Sequence, residues 1–237
     1  MRPRPDYGID APPVIRNLAL GALACAVITP FIPWYLRYTV VSTGVVFAAE
    51  VVYMIWASRV GKIQQRERLF ELIDWSKASR VLDVGCGRGL LLVGAATRLA
   101  PGARAIGIDL WNSADLGGNQ HAATLENAAR EQVLDRTRVV TGDMRAMPLA
   151  SSTMDLVVSS MAIHNVPGAE GRRQSIAEIA RVLKPGGTVL IQDMRHVTDY
   201  AADLQANGLN VDSVSGRQFR IFPPVRYVIA TKGPGQS

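Results

Sequence analysis

Three glycines at alternate positions are the clearest sign of ligand chemistry in this sequence. Gly85, Gly87 and Gly89 follow a short apolar run at residues 81–84, and an apolar run with helical spacing begins at residue 90. Glycines at a strand-to-helix turn let backbone amides approach a ligand, because no side chains stand in the way. The spacing therefore predicts a ligand site at this turn.

Two acidic residues follow later apolar runs in the same way. Asp109 ends a run that begins at residue 103, and Asp143 comes just after a run at residues 138–141. An acid at the end of the second strand accepts hydrogen bonds from both ribose hydroxyls of an adenosine cofactor. Nicotinamide enzymes use the same arrangement, so this pattern alone leaves the choice of cofactor open.

A histidine and a long loop complete the polar positions. His164 follows an apolar run at residues 154–160, and an imidazole titrates near neutral pH, so it is the candidate general base. The alternative is a loop histidine that only shapes the pocket. Residues 111–119 form a loop where ligands commonly bind, and Trp111 lies either beside an adenine or in simple packing.

Composition excludes several other classes of site. The 237 residues carry a net charge of +6 without any block of Lys and Arg, which argues against a nucleic-acid tail. Cys25 and Cys86 are the only cysteines, so the sequence predicts no disulfide framework and no metal site.

Two long apolar runs precede the glycine turn. Residues 17–36 carry no charge, and residues 39–58 carry only Glu50. A bilayer core needs about 20 apolar residues per helix, so the runs predict a transmembrane hairpin at residues 17–58. Pro30 and Pro33 should kink or end the first span, and Arg37 would lie in the connection. The alternative is a buried helical hairpin in a soluble protein.

Flanking charges orient this predicted hairpin. The residues before it are 1–16, with Arg16 near its start, and those after it, 59–79, form an amphipathic linker helix that includes Lys62 and Arg66. Positive charges stay on the cytoplasmic side, so both ends should face the cytosol with the basic linker near anionic lipid. Hairpin register places Glu50 near residues 25–29, between the helices or against a lipid-like substrate.

A resemblance decides between the cofactor classes. The Asp-x-Gly-x-Gly-x-Gly pattern from Asp83 to Gly89 resembles the first motif of class I S-adenosylmethionine-dependent methyltransferases. The run Glu-Ile-Ala-Arg-Val-Leu-Lys-Pro-Gly-Gly at residues 178–187 is characteristic of the same family, and nicotinamide dehydrogenases lack it. The resemblance covers about residues 62–232. It does not include the apolar hairpin.

The resemblance implies a fold and a set of site residues. The fold is α/β, a Rossmann-like, seven-stranded, doubly wound sheet with an antiparallel last strand, here at residues 80–237. Asp143 would bind the adenine amino group, with Met144 against the ring. The residues implied for S-adenosyl-L-methionine are Asp83, Gly85, Cys86, Gly87, Gly89, Asp109, Leu110, Asp143, Met144 and Ser160.

The sequence as a whole predicts a membrane-anchored methyltransferase of a lipophilic or membrane-associated small molecule. It would lie in the cytoplasmic membrane as a multi-pass protein, with its catalytic domain in the cytosol and the bilayer as a partner. The residues after position 160 are not of the Asn-Pro-Pro-Tyr type, which disfavours nucleic-acid adenine as acceptor. Two alternatives remain: a tethered enzyme of a soluble metabolite, and a non-catalytic cofactor-binding subunit of a membrane partner. The sequence does not indicate an oligomeric state.

Overall fold

A seven-stranded sheet forms the centre of the protein, which the computed structural model describes at residues 5–111 and 120–234. The strands are β1 (Arg80–Val84), β2 (Arg104–Asp109), β3 (Thr137–Thr141), β4 (Met154–Ser160), β5 (Leu183–Asp193), β6 (Leu209–Val214) and β7 (Arg226–Lys232). Their order is β3-β2-β1-β4-β5-β7-β6, and β7 is antiparallel to both neighbours. The predicted sheet and its antiparallel last strand are confirmed.

Helices cover both faces of this sheet. Four of them alternate with the strands: α4 (Leu90–Ala96), α5 (His121–Arg130), α6 (Gly168–Val182) and α7 (Val197–Ala206). Val81 packs in one core cluster with residues of α4 and α5, whereas its neighbour Leu82 packs in the other with residues of α6 and α7. Successive side chains of a strand point to opposite faces, and a parallel sheet needs both faces covered.

The fifth strand is longer than the sequence predicts. The apolar run at residues 188–192 predicts a strand of five residues, but β5 also includes the Lys-Pro-Gly-Gly turn and ends at Asp193. Its pairing with β4 jumps from Leu183 opposite Met154 to Thr188 opposite Leu156, so the turn residues bulge out between two paired segments. The additional residue at the carboxyl end of β5, Asp193, belongs to the site described below.

Two apolar helices precede the sheet and pack on each other: α1 (Pro12–Ile28) and α2 (Trp34–Trp56). By length and composition, the stretches Pro12–Phe31 and Trp34–Phe70 could each cross a membrane, with mean hydropathies of 1.7 and 1.8. A Cβ on Gly44 would lie 2.9 Å from Cβ of Cys25, and Gly21 lies against Phe47. These two contacts fix the antiparallel register of the helices, so Glu50 faces α1 on the N-terminal side of Gly21. Its predicted position near residues 25–29 is wrong.

The hairpin turns earlier than the sequence predicts. The connection contains Pro30 and Pro33, as expected for residues that end a helix, but Arg37 belongs to α2 and not to the connection. Its guanidinium donates to the carbonyl oxygens of Ile32 (3.2 Å) and Pro30 (3.3 Å). Arg37 thus satisfies two carbonyl groups of the connection between α1 and α2, which gives this charged side chain polar partners within the hairpin.

No loop separates the second apolar helix from the predicted linker helix. One π-helical turn, Ala57–Gly61, joins α2 directly to α3 (Lys62–Phe70). Leu69 and Phe70 of α3 are buried against the sheet domain. Lys62 is also buried, and Arg66 donates to the carbonyl oxygen of Leu90. These two side chains therefore face the protein, and the expectation that they face lipid is wrong.

Candidate active site

The glycine turn lies at the carboxyl edge of the sheet, between β1 and α4. The backbone N–H groups of Gly85 and Cys86 both donate to the carbonyl oxygen of Ile108, at 2.8 and 3.2 Å. Gly85 has a φ of +72°, and a Cβ at that position would lie only 2.2 Å from Cβ of Ala162. Glycine is therefore required at this position.

Asp109, at the end of β2, braces the same turn. Its Oδ2 accepts a hydrogen bond from the N–H of Gly87 (2.8 Å), and its Oδ1 accepts one from the N–H of Trp111 (2.7 Å). The Trp111 indole donates to the hydroxyl of Thr141 and packs edge-on against His121, so packing accounts for this side chain. Residues 112–119 of the predicted ligand-binding loop lie outside the described residues.

Asp83 is buried beneath the turn. One of its carboxyl oxygens accepts a hydrogen bond from the N–H of Leu92, 2.8 Å away in α4. Burial, opposed by that hydrogen bond and reinforced by Asp109, raises the pKa of Asp83 to about 8. Burial raises the pKa of the Cys86 thiol as well, and the nearby Asp83 and Asp109 add to this effect. Asp83 thus carries a proton at neutral pH, and the Cys86 thiol is no ready nucleophile.

Asp83 should make stability depend on pH. The folded state keeps its proton up to about pH 8, whereas the unfolded state loses it near pH 4. The contribution is therefore complete below about pH 4 and is lost as the pH rises to about 8. Asn cannot titrate, so we expect the apparent melting temperature of wild type minus that of Asp83→Asn to fall from pH 5 to pH 8. An exposed change, Asp135→Asn, should leave the difference flat. A flat Asp83→Asn difference would contradict a buried protonated carboxyl.

Asp143 and Met144 follow β3 at the same edge. Arg145 holds the Asp143 carboxylate, with Nη2 2.5 Å from Oδ2 and Nε 3.0 Å from Oδ1. This hydrogen-bonded pair lowers the pKa of Asp143, which stays ionised. The methyl carbon of Met144 lies 3.5 Å from the point where a Cβ on Gly85 would stand. The two residues therefore lie next to the glycine turn, as the resemblance implies.

His164 lies in the loop after β4 and faces an acid that the sequence analysis missed. Its Nδ1 is 2.6 Å from Oδ1 of Asp193, the last residue of β5, whose side chain is fully buried. The two atoms are close but are not aligned for a hydrogen bond, since Nδ1 has no hydrogen-bond partner by geometry. The other carboxyl oxygen accepts from the His164 backbone N–H (3.0 Å) and lies 3.4 Å from the Tyr200 hydroxyl. Asp193 thus fixes both the backbone and the ring of His164.

Ser160 connects the site to helix α3. Its hydroxyl accepts a hydrogen bond from the Gln192 side chain (2.9 Å), whose amide oxygen accepts one from Gln65 of α3 (2.9 Å). Gln65 and Gln192 are each 1% exposed. A buried amide pair of this kind holds its two elements in one relative position, because separating them would leave polar groups unpaired.

These residues surround one cavity of about 590 Å³. Its lining includes all the predicted site residues except Gly89, which instead begins α4 and lies against Thr124. The predicted residues in the lining are Asp83, Gly85, Cys86, Gly87, Asp109, Leu110, Asp143, Met144, Ser160 and His164. The volume is within the usual range of small-molecule sites, about 300–1,000 Å³.

An N-terminal segment, residues 6–10, lies across one side of this cavity. At one end, the carboxylate of Asp6 pairs with Arg88 (2.9 Å) beside the glycine turn. At the other end, Asp10 pairs with the buried Lys62 (3.2 Å), whose ammonium also donates to the carbonyl oxygens of Tyr7 (2.9 Å) and Gly8 (2.7 Å). Tyr7, Asp10 and Lys62 line the cavity. The sequence of this segment is polar and carries no motif that predicts these contacts.

The part of the chain that forms most of this cavity is similar to known proteins. Residues 82–191, from β1 to β5, match the protein family described as methyltransferase domain. Over these residues the chain is similar to methyltransferases. The match begins just before the glycine turn and ends two residues before Asp193, so it contains most of the cavity lining.

Curated relatives match about half of the chain. The chain is 30% identical over 134 residues to sterol 4-C-methyltransferase strm-1 of Caenorhabditis elegans, covering 56% of this chain and 36% of that protein. It is 36% identical over 123 residues to the ubiquinone/menaquinone biosynthesis C-methyltransferase UbiE of Cereibacter sphaeroides, covering 51% of this chain and 45% of that protein. The chain thus spans less than half the length of these relatives.

Solved structures share the fold. An S-adenosylmethionine-dependent methyltransferase from Aquifex aeolicus superposes with a TM-score of 0.55 at 18% identity, covering 72% of this chain and 90% of that one. Residues 80–193 have features that this cofactor needs: a glycine turn at Gly85 and Gly87, and carboxyl side chains at Asp109 and Asp143 beside the same cavity. The residues present therefore fit S-adenosylmethionine.

Proposed function

We propose that this protein is a membrane-anchored methyltransferase that transfers a methyl group from S-adenosylmethionine to a lipophilic small molecule. The proposal rests on one observation: the glycine turn and the helix that continues from the apolar hairpin line the same cavity. The glycine turn lines one part of it, and Lys62, in the helix that continues from apolar α2, lines another. Two curated relatives are named as methyltransferases of a sterol and of quinone biosynthesis, which supports a lipophilic acceptor.

Exposed apolar side chains on α1 and α2 support the membrane anchor. No residue of α1 is buried, and Leu20, Leu23 and Val45 are each more than half exposed. A soluble monomer rarely exposes so large a contiguous apolar surface, whereas a bilayer covers it. We propose residues 17–58 as the spanning hairpin and residues 80–237 as the methyltransferase domain, with Arg16 and Arg59 on the cytosolic side.

The chain's own residues would chiefly align the reactants. When bound, S-adenosylmethionine supplies a methyl group that is already activated by the positive sulfonium. Asp109 would hold the ribose, the glycine turn would lie against the methionine part, and Asp143 and Met144 would hold the adenine. Correct alignment of two reactants gives effective molarities of about 10⁵–10⁸ M, so positioning accounts for much of the rate.

His164 would remove the proton that some acceptors lose. A hydroxyl, or a ring carbon activated by a hydroxyl, would give up a proton as it takes the methyl group and the methyl–sulfur bond breaks. Because Asp193 occupies the Nδ1 side of the ring, Nε2 is the nitrogen left to take this proton. The buried Asp193 carboxylate would stabilise the resulting imidazolium.

Two other functions remain in competition. A soluble metabolite could be the acceptor, with the hairpin serving only as a tether. Alternatively, the chain could bind the cofactor without turnover and serve a membrane partner. The His164–Asp193 contact favours turnover over the second alternative, since cofactor binding alone gives no reason for it.

One experiment separates these possibilities. Full-length protein in vesicles of phosphatidylethanolamine and phosphatidylglycerol is given S-adenosylmethionine with a radioactive methyl group. The acceptors are a demethylated prenyl hydroquinone, a sterol and a water-soluble metabolite extract. We expect label in a lipid-extractable product, and protein that stays in the membrane pellet after alkaline carbonate. Release by carbonate contradicts the anchor, label only in soluble product supports the tethered enzyme, and binding without label supports the non-catalytic subunit.

A further inference from the structure

A loop between β6 and β7 touches the second apolar helix on one side and the cavity on the other. Its central residues, 219–223, are called the aromatic loop below. The Tyr53 hydroxyl of α2 donates a short hydrogen bond to the carbonyl oxygen of Phe219. The rings of Tyr53 and Phe222 meet edge to face, with centroids 5.5 Å apart and an interplanar angle of 80°. Edge-to-face packing at this distance is a favourable arrangement of two aromatic rings.

Backbone contact brings the aromatic loop close to the π-helical turn. A Cβ on Gly61 would lie 1.9 Å from the carbonyl oxygen of Arg220, so only glycine allows the two backbones to approach this far. The Arg220 guanidinium also donates to the Gln64 side chain of α3, at 3.0 Å. The loop is thus fixed to the helix at several points along its length.

The opposite side of the aromatic loop forms part of the cavity wall. Ile221, Phe222 and Pro223 all line the cavity that holds His164 and the glycine turn. Phe222 therefore touches both the helix and the cavity. Around it, Phe219, Trp56 and Val60 are between 38% and 62% exposed, so an apolar surface continues from the hairpin to the loop.

We propose that the aromatic loop and the end of α2 form the passage through which a methyl acceptor enters from the bilayer. The occupant is the hydrocarbon tail of that acceptor. Its reactive ring would reach His164, while the tail lies along Phe222 and Tyr53 and remains in contact with lipid. The inference rests on the proposed function, since it needs a membrane anchor and a lipophilic acceptor. It adds the tail-binding residues and the route.

Photolabelling tests the passage without relying on turnover. The probe is a long-chain prenyl hydroquinone with a diazirine in the isoprene unit next to the ring. It is added to full-length protein in vesicles of phosphatidylethanolamine and phosphatidylglycerol. We expect crosslinks to residues 219–223 and to Tyr53. Crosslinks confined to α1 and the first half of α2 overturn the passage but keep the anchor. Absence of crosslinks to both helices, with release by carbonate, overturns the anchor and the passage together.

A specificity ratio provides the second test. Two naphthohydroquinone acceptors are compared, one with a long isoprenoid tail and one without. Phe222→Ala should lower the ratio of kcat/KM for the tailed acceptor to that for the tailless one by about tenfold, because it removes a large apolar contact for the tail. Phe31→Ala, which also removes a phenyl ring but at an 85% exposed position at the far end of the hairpin, should leave the ratio unchanged. An unchanged ratio for Phe222→Ala contradicts a tail-binding role.

Wild-type inactivity on both acceptors has a separate meaning. It would show that the hydroquinone ring is the wrong acceptor class, which concerns the proposed function. The crosslinks then still decide whether a hydrocarbon tail enters beside the aromatic loop. Calorimetric binding of S-adenosylmethionine to Phe222→Ala and Phe31→Ala serves as the check that both variants remain folded.

Discussion

Asp109→Ala should reduce the affinity for S-adenosylmethionine by about 100-fold, or roughly 2.7 kcal/mol. An ionised carboxylate contributes about 1.5–3 kcal/mol for each hydrogen bond it accepts from a ligand, and a ribose offers two hydroxyls. The substitution also removes the hydrogen bonds to Gly87 and Trp111, so the glycine turn should loosen. Titration calorimetry of the full-length protein in detergent measures the change directly.

Two matched variants show whether the effect belongs to this position. Asp109→Asn keeps one acceptor oxygen and should lose less affinity than Asp109→Ala. Asp135→Ala removes an exposed carboxylate in the turn before β3 and should bind like wild type. If Asp109→Ala also binds like wild type, Asp109 does not hold the cofactor.

His164→Ala should lower kcat by about 10²–10⁴-fold on an acceptor that loses a proton, which is the usual contribution of a general base. Asp193→Asn should lower kcat less, because the ring remains but its orientation and the charge behind it are lost. Neither change should alter the affinity for S-adenosylmethionine, which calorimetry can verify.

The chain offers a built-in control for this pair. His196 and Asp199 form a similar contact at 3.0 Å, outside the cavity lining. His196→Ala and Asp199→Asn should therefore leave kcat unchanged. A His164→Ala variant with wild-type kcat across the pH range would reduce His164 to a residue that shapes the pocket.

The sequence predicted those features that depend on local pattern. Buried strands read as apolar runs, the glycine turn reads as alternating glycines, and the residues that follow strands meet at one edge of a parallel sheet. Asp109, Asp143 and His164 could be found in this way because each follows an apolar run closely. The sheet order was then fixed by the resemblance.

Residues that act through tertiary contact could not be found from local pattern. Asp193 was missed because the predicted fifth strand ended one residue too early, although it ends β5 as Asp109 ends β2. Lys62 looked like a charge for the lipid surface, and nothing local shows that Tyr7, Gly8 and Asp10 return to pair with it. Contacts between residues more than 50 positions apart leave no periodic signal.

The π-helical turn at Ala57–Gly61 sets the rotational phase between the hairpin and the domain. An α-helix advances by about 100° per residue, and a π turn holds one residue more than an α turn. If the five residues of this turn formed regular α-helix instead, each would advance by more than it does in the wider π turn, and α3 would be rotated by roughly a quarter turn relative to α2. Gln65 and Lys62 would then point away from Gln192 and Asp10, while both apolar helices kept their length. A hairpin of unchanged length would then present the cavity edge of the sheet in a different direction.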